Sequence, residues 1–286
     1  MKALISVDME GISGIVHSSE TNPERYDYQR GRELMTAEAN AVIAGVLDAE
    51  PTADVLVADA HGTFRNLLPE QLDRRARLVR GKPRALNMLA GLDEETDAAL
   101  FVGYHVRAGE GPGVLAHTMN GEILDVRVTG RAPGEDARVT GRSLGEIGLN
   151  AAMAGHLGVP VVLLSGDDAA CAEAAALIPE AVTVPVKEAL GMAAAVTLHP
   201  EEARDRLRRA AADAVSRRTE IPPLALTGPL DVEVDLASPH TIDLATLVPG
   251  VSRAAGARTV AFAAPDYGTA YRLILLLAQL ATIRPA

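Results

Sequence analysis

Hydrophobic positions along this chain fall into short continuous runs separated by longer stretches of helical spacing. Apolar runs occupy 3–5, 98–104 and 160–164, and 53–58 and 76–79 are apolar apart from Asp54 and Arg77; runs of this length bounded by turn-forming residues read as buried strands. Between the first two, Leu34, Ala37, Ala41 and Ala44 recur at helical spacing within 23–50, and Pro51 ends the pattern. Residues 123–128 and 137–140 alternate like the arms of a hairpin turned around 131–136. A helix is predicted from Ser143, with Glu146 three residues on, the pattern of a capping box. A short strand at 182–186 precedes a strongly signalled helix at 200–218, which opens on Pro200, Glu201 and Glu202. After Pro222 and Pro223, strands at 230–236 and 259–264 and a helix at 265–283 follow. Strands alternating with helices predict an α/β fold with a mainly parallel central sheet flanked by helices. Residues 1–190 read as the larger domain and 191–286 as a second, smaller α/β portion packed on it.

Composition narrows this picture. With 48% hydrophobic residues but only 3% aromatics and no Trp, the core must be built from Ala, Val and Leu, which suits close helix-on-sheet packing. The formal net charge of -11, with no Lys/Arg cluster beside stacking aromatics, excludes nucleic acid as a partner. Cys171 is the single cysteine, so there is no intrachain disulfide and no Cys-rich zinc module. Residues 273–280 are apolar apart from Gln279, but Arg272 and Arg284 flank them too closely for a membrane span. Only Lys2 and a short apolar run precede Asp8, which predicts no signal peptide and a cytoplasmic protein.

The candidate chemistry lies where the strands end. In Ser6-Val7-Asp8-Met9-Glu10-Gly11, an extended backbone would project Asp8 and Glu10 from one face. Two anions that close raise a pKa or share a cation. An isolated Asp-x-Glu is more commonly a solvated loop; here the pattern repeats. The run at 53–58 leads into Asp59-Ala60-His61, 98–104 delivers His105, and 160–164 leads to Asp167 and Asp168. In a parallel sheet, the site lies outside the carboxyl ends of the strands. Asp8, Glu10, His61 and His105, with Asp167 as a further candidate, share that edge. They could hold one or two divalent metals; imidazole with carboxylate favours zinc and leaves manganese, iron and cobalt open. Glu146 reads equally as a capping partner or a ligand. The glycines of 109–113 lack the spacing of a nucleotide loop.

Six segments together carry a family resemblance: Ser-Val-Asp-Met-Glu-Gly at 6–11, Asp-Ala-His at 59–61, Gly-Tyr-His at 103–105, His-Thr-Met at 117–119, Gly-Glu-Ile-Gly-Leu-Asn at 145–150 and Gly-Asp-Asp at 166–168. In this order they resemble the zinc D-aminopeptidases associated with dipeptide transport operons. The resemblance implies a di-zinc peptidase that removes an N-terminal D-residue, D-Ala above all, from short peptides and amides. It implies Asp8, Glu10, His61, His105 and Glu146 as ligands of two zinc ions, Asp8 bridging them, and His117 as the catalytic residue. It also implies a ring-shaped homo-oligomer, a decamer enclosing the active sites. One departure is about a dozen extra residues around 131–142, beside the expected hairpin turn, which bears on substrate length and assembly.

A metal-activated water is the simplest nucleophile for an amide, leaving His117 as general acid or base; the alternative is His117 itself as nucleophile. His17, His156, His199 and His240 lack comparable context and read as structural or surface residues. Two competing readings use the same residues. One is another metal-dependent amidohydrolase or a phosphohydrolase; the other is a non-catalytic metal-containing binding protein, disfavoured because structural zinc usually has four closed ligands.

Overall fold

The computed structural model describes residues 1–131 and 138–284. The chain begins with β1 (Lys2–Val7), α1 (Ser18–Thr21), α2 (Tyr28–Ala49), β2 (Asp54–Asp59), β3 (Ala76–Val79) and β4 (Ala98–Tyr104). It continues through β5 (Ile123–Arg131), β6 (Arg138–Ser143), α3 (Glu146–His156), β7 (Val161–Asp167), α4 (Asp168–Leu177), β8 (Val182–Gly191) and β9 (Ala194–Thr197). The last elements are α5 (Pro200–Ser216), β10 (Thr227–Leu236), α6 (Pro239–Ala245), β11 (Ser252–Arg253), β12 (Thr259–Ala264) and α7 (Tyr267–Leu280).

Seven strands form the main sheet in the order β3-β2-β1-β4-β7-β8-β9, parallel except for the final β8/β9 pair. From β1 the chain steps to β2 on one side and later to β4 on the other, so the order reverses between β1 and β4. A crevice opens at such a switch point, outside the carboxyl ends of the two strands. The alternating side chains of the sheet enter two cores. Ala3, Ile5 and Val7 of β1 pack with α2 and α5, whereas Leu4 packs on the other face with α3, α4 and α7. Small residues in α2 and α3 allow the close helix packing expected from an Ala-rich core.

A smaller antiparallel sheet, β11-β12-β10-β5-β6, completes the fold. Its strands come from both sides of residue 190: β5 pairs with β10, while α5, which also follows 190, packs on α2. The hairpin expected at 123–140 forms as β5 and β6. Its turn, 132–137, within the 131–142 stretch where the extra residues are expected, lies outside the described residues. Buried residues of α7 include Tyr271, Ile274 and Leu277, as expected for a buried terminal helix. Among the described residues, no helix is long and apolar enough to cross a membrane.

One expected cap does not form. Ser143 ends β6, paired with Arg127, and its hydroxyl donates to Asp125 Oδ2 at 3.0 Å. Helix α3 starts at Glu146 with Gly145 as N-cap and no side-chain cap bond. The Glu146 side chain is thereby free of the capping role and turns toward the switch point.

Candidate metal centre

Asp8 follows β1 and stays hydrogen-bonded to the sheet, its N–H donating to the Val102 carbonyl at 2.8 Å. The chain then turns, so Glu10 reaches the cluster from a turn and not by the strand alternation expected of Asp-x-Glu. Gly11 permits that turn: a Cβ there would strike the Tyr104 carbonyl oxygen. Gly103 has φ of 69°, a conformation side chains disfavour, and a Cβ there would meet the Asp8 carbonyl oxygen. These two glycines let the ends of β1 and β4 close together, with Asp8, Glu10 and His105 at the junction. His61 arrives from the loop after β2, Glu146 from the first turn of α3 and His117 from the loop before β5.

The distances make one cluster. His61 Nδ1 lies 2.9 Å from Glu10 Oε2 and 3.2 Å from Asp8 Oδ1. His105 Nε2 lies 3.5 Å from Asp8 Oδ2 and 3.4 Å from Glu146 Oε1. His117 Nε2 is 3.7 Å from the same Glu146 oxygen, and its ring stacks on His105 at 4.0 Å between centroids. The second nitrogen of each ring faces a backbone carbonyl: His61 Nε2 that of Thr21 at 2.9 Å, His105 Nδ1 that of Val106 at 3.1 Å, His117 Nδ1 that of Leu115 at 2.8 Å. A neutral imidazole that donates its N–H to a carbonyl keeps a lone pair on the other nitrogen. Three lone pairs and three carboxylates therefore converge, an arrangement that repels itself unless cations fill it. His105 Nε2 is buried with no hydrogen-bond partner.

The protonation equilibria show the same deficit of positive charge. Burial, then Glu10, pushes the Asp8 carboxyl up to about 8. Burial works against charge on His105, but Glu146 and Asp8 outweigh it and hold the imidazole at about 10. His61 is likewise raised well above its usual value, Glu10 and Asp8 overcoming burial. Burial would also raise Glu10 and Glu146, yet His61 and His105 respectively bring them below the usual carboxylate range. The cluster thus retains protons where a divalent cation would displace them. Two overlapping triplets, Asp8-Glu10-His105 and His105-His117-Glu146, each place ligand atoms within 4.8 Å of one another. This donor set of carboxylate and imidazole suits zinc and related divalent metals.

A family model described as D-aminopeptidase matches residues 1–276. The chain belongs to the D-aminopeptidase family. A curated D-aminopeptidase from Bacillus subtilis (strain 168) is 37% identical over 281 residues, covering 98% of each chain. A solved structure, the Zn-dependent D-aminopeptidase DppA from Bacillus subtilis, described as a self-compartmentalizing protease, superposes with a TM-score of 0.92. It is 35% identical to this chain, and the match covers 100% of both chains.

In this D-aminopeptidase-family chain, all six residues singled out from the sequence lie in the cluster, while Asp167 does not. Its Oδ1 accepts from Ala170 N–H as the cap of α4, and its Oδ2 accepts from Val114 N–H, anchoring the loop that leads to His117. Asp59, beside His61 in sequence, accepts from the N–H groups of Asn66 and Leu67, and Asn66 donates to the His61 carbonyl at 2.6 Å. Sequence reading missed the supports beneath the cluster. Buried Lys187 donates to the carbonyls of Glu10, Ile12 and Ile15 at 2.5, 2.9 and 2.5 Å, fixing the turn that carries Glu10. A register slip between β7 and β8, from Gly166–Pro185 to Asp167–Lys187, turns both Val186 and Lys187 inward. A second support runs Ser6–Tyr104–Asn150–Tyr271 by side-chain hydrogen bonds of 2.8, 3.3 and 2.7 Å, tying β1, β4, α3 and α7 together. Asn150 stands one helical turn beyond Glu146, so this chain sets the position of α3 against His105.

Proposed function

We propose that this protein is a metal-dependent D-aminopeptidase that removes an N-terminal D-residue, D-Ala in particular, from short peptides and amides. The observation that carries the reading is His105 Nε2, buried, unpartnered and set between Asp8 and Glu146, in a chain of this family. Asp8, Glu10, His61, His105 and Glu146 would hold a pair of zinc ions. Asp8 suits the bridging place because its two oxygens face different imidazoles, Oδ1 toward His61 and Oδ2 toward His105. Bound metal supplies a Lewis acid for the amide carbonyl and lowers the pKa of water toward neutrality.

The protein's own residues then orient the peptide and move protons. His117 Nδ1 is tied to the Leu115 carbonyl, so its Nε2 faces the reaction space. In the metal-free chain burial, then the neighbouring His105, lowers the His117 pKa, and a neutral ring there can accept a proton. Once protonated, the same nitrogen donates to the departing amine, so one imidazole serves as base and then acid. The cavity over the cluster is about 120 Å³, a size for a short peptide end and not for a folded substrate. A solved relative is described as a self-compartmentalizing protease; assembly of this chain into a ring-shaped homo-oligomer, a decamer, would exclude folded chains further.

Steady-state kinetics on D- and L-alanyl amides test this reading, in protein stripped with a chelator and then reloaded with zinc. The expected result is turnover of the D-amide that chelation abolishes and zinc restores, with the L-amide much slower. Equal turnover of both enantiomers, or activity indifferent to the chelator, would overturn it.

A further inference from the structure

The cavity over the metal cluster is walled mostly by acids, imidazoles, amides and apolar side chains. Asp8 and Glu146 form its floor, with Met88, Met119 and Leu275 among its walls. Lys82 is the only Lys or Arg among the described residues that line it. Its backbone is anchored to the loop that carries His61, because Gly81 N–H donates to the Phe64 carbonyl at 2.5 Å. Its ammonium sits 5.5 Å from the centroid of the Phe64 ring. Arg84, the next cation along, lies over the same ring at 4.1 Å, but its guanidinium donates to the carbonyls of Asp59, Val79 and Asn87. Among the described residues Lys82 makes no salt bridge, in a chain whose net charge is -11. A cation held over an aromatic face beside an acid-rich cavity, with no carboxylate of its own, is placed to receive an anion.

Resting on the aminopeptidase reading above, we propose that Lys82 is a specificity-determining residue that binds the free C-terminal carboxylate of a short peptide. A substrate of this kind carries opposite charges at its two ends. With Asp8, Glu10 and Glu146 engaged as metal ligands, its carboxylate end still needs a cationic partner in the cavity wall. Among the described residues only Lys82 offers that end a fixed positive charge in the cavity wall, and the confined space limits the reach to a carboxylate close behind the scissile bond. The chain thereby selects short peptides with free acids over the same peptides amidated at the C-terminus, and over long chains whose carboxylate lies beyond reach.

The test compares kcat/KM for a D-alanyl dipeptide and for its C-terminal amide, in zinc-loaded wild type, Lys82→Met and Lys82→Arg, with zinc content measured in each. Wild type should prefer the free acid. In Lys82→Met the acid-to-amide ratio should fall roughly ten- to hundredfold, the range for losing one hydrogen bond to a charged group, chiefly through KM. Lys82→Arg should recover most of the ratio, and zinc content should match wild type throughout. A ratio that Lys82→Met leaves intact, or a wild type that turns over the amide as well as the acid, overturns the assignment while leaving the D-aminopeptidase reading standing. Wild type inactive on both substrates would overturn both.

Discussion

His117 differs from the other residues of the cluster in its exposure. Its side chain is 28% accessible, against 1% for His105 and 6% for Glu146, as suits a group that meets substrate and not one that only holds a metal. It also lies within ligand distance of His105 and Glu146, so metal content decides between the roles. As a proton-transfer group, His117→Ala should keep the zinc content of wild type and lose roughly a hundred- to ten-thousand-fold in kcat. The deficit should shrink for a D-alanyl nitroanilide, whose departing nitrogen needs less protonation. Loss of zinc from His117→Ala would make it a ligand instead, and a burst of nitroaniline equal to the enzyme concentration in wild type would make it a nucleophile. The residues of the cluster were legible in the sequence because four of them sit at or just after strand ends that apolar runs announce. Glu10 was found for the wrong reason, since the strand face that should have carried it becomes a turn at Gly11. Lys187 left no such signal, and Asn150, although it closes the motif at 145–150, was given no role of its own. Their partners, the carbonyl of Glu10 and the hydroxyl of Tyr104, lie 177 and 46 residues away and are brought close only by the finished fold.

At the scale of elements, the site depends on how α2 and the loop after β1 meet. Glu38 of α2 is buried; its Oε1 accepts from Ser13 N–H at 2.8 Å, and its Oε2 has no partner. Burial pushes its carboxyl up to about 7 from the ordinary 4.5. Because the folded value is the higher, this group favours the fold fully below about pH 4.5 and loses that contribution as pH rises through about 7. Glu38→Gln keeps the acceptor for Ser13 but does not titrate. In thermal melts, its advantage over wild type should therefore grow from pH 5 to pH 7, by up to roughly 1.4 kcal/mol per pH unit, and level off above. An advantage that does not change with pH would contradict the burial of an ionisable Glu38. The boundary of α3 shows why elements were read less well than residues. Ser143 and Glu146 have capping-box spacing, but the chain from 138 to 143 is already committed to pairing with β5, and strand pairing won over a local cap.

Across the whole molecule, the parallel sheet was legible because buried parallel strands are continuous apolar runs, whatever their neighbours. The order of those strands was not, and it is the order that matters here. Placing β1 between β2 and β4 brings residues 8, 61 and 105 to one crevice, and α3 then closes it with Glu146. The strands of the second sheet were expected as a hairpin at 123–140 and as strands at 230–236 and 259–264, but not their union in one sheet, because long-range pairing such as that of β5 with β10 has no local pattern. The fold therefore places a self-repelling cluster of carboxylates and imidazoles at the switch point of its main sheet, and metal would relieve that repulsion for the folded chain. Elemental analysis of purified wild type and Asp8→Ala, each dialysed against zinc, tests this most directly. The account predicts about two zinc ions per wild-type chain and almost none in Asp8→Ala, because one carboxylate facing both His61 and His105 serves each ion. Full zinc content in the Asp8 variant, or none in wild type, would contradict it.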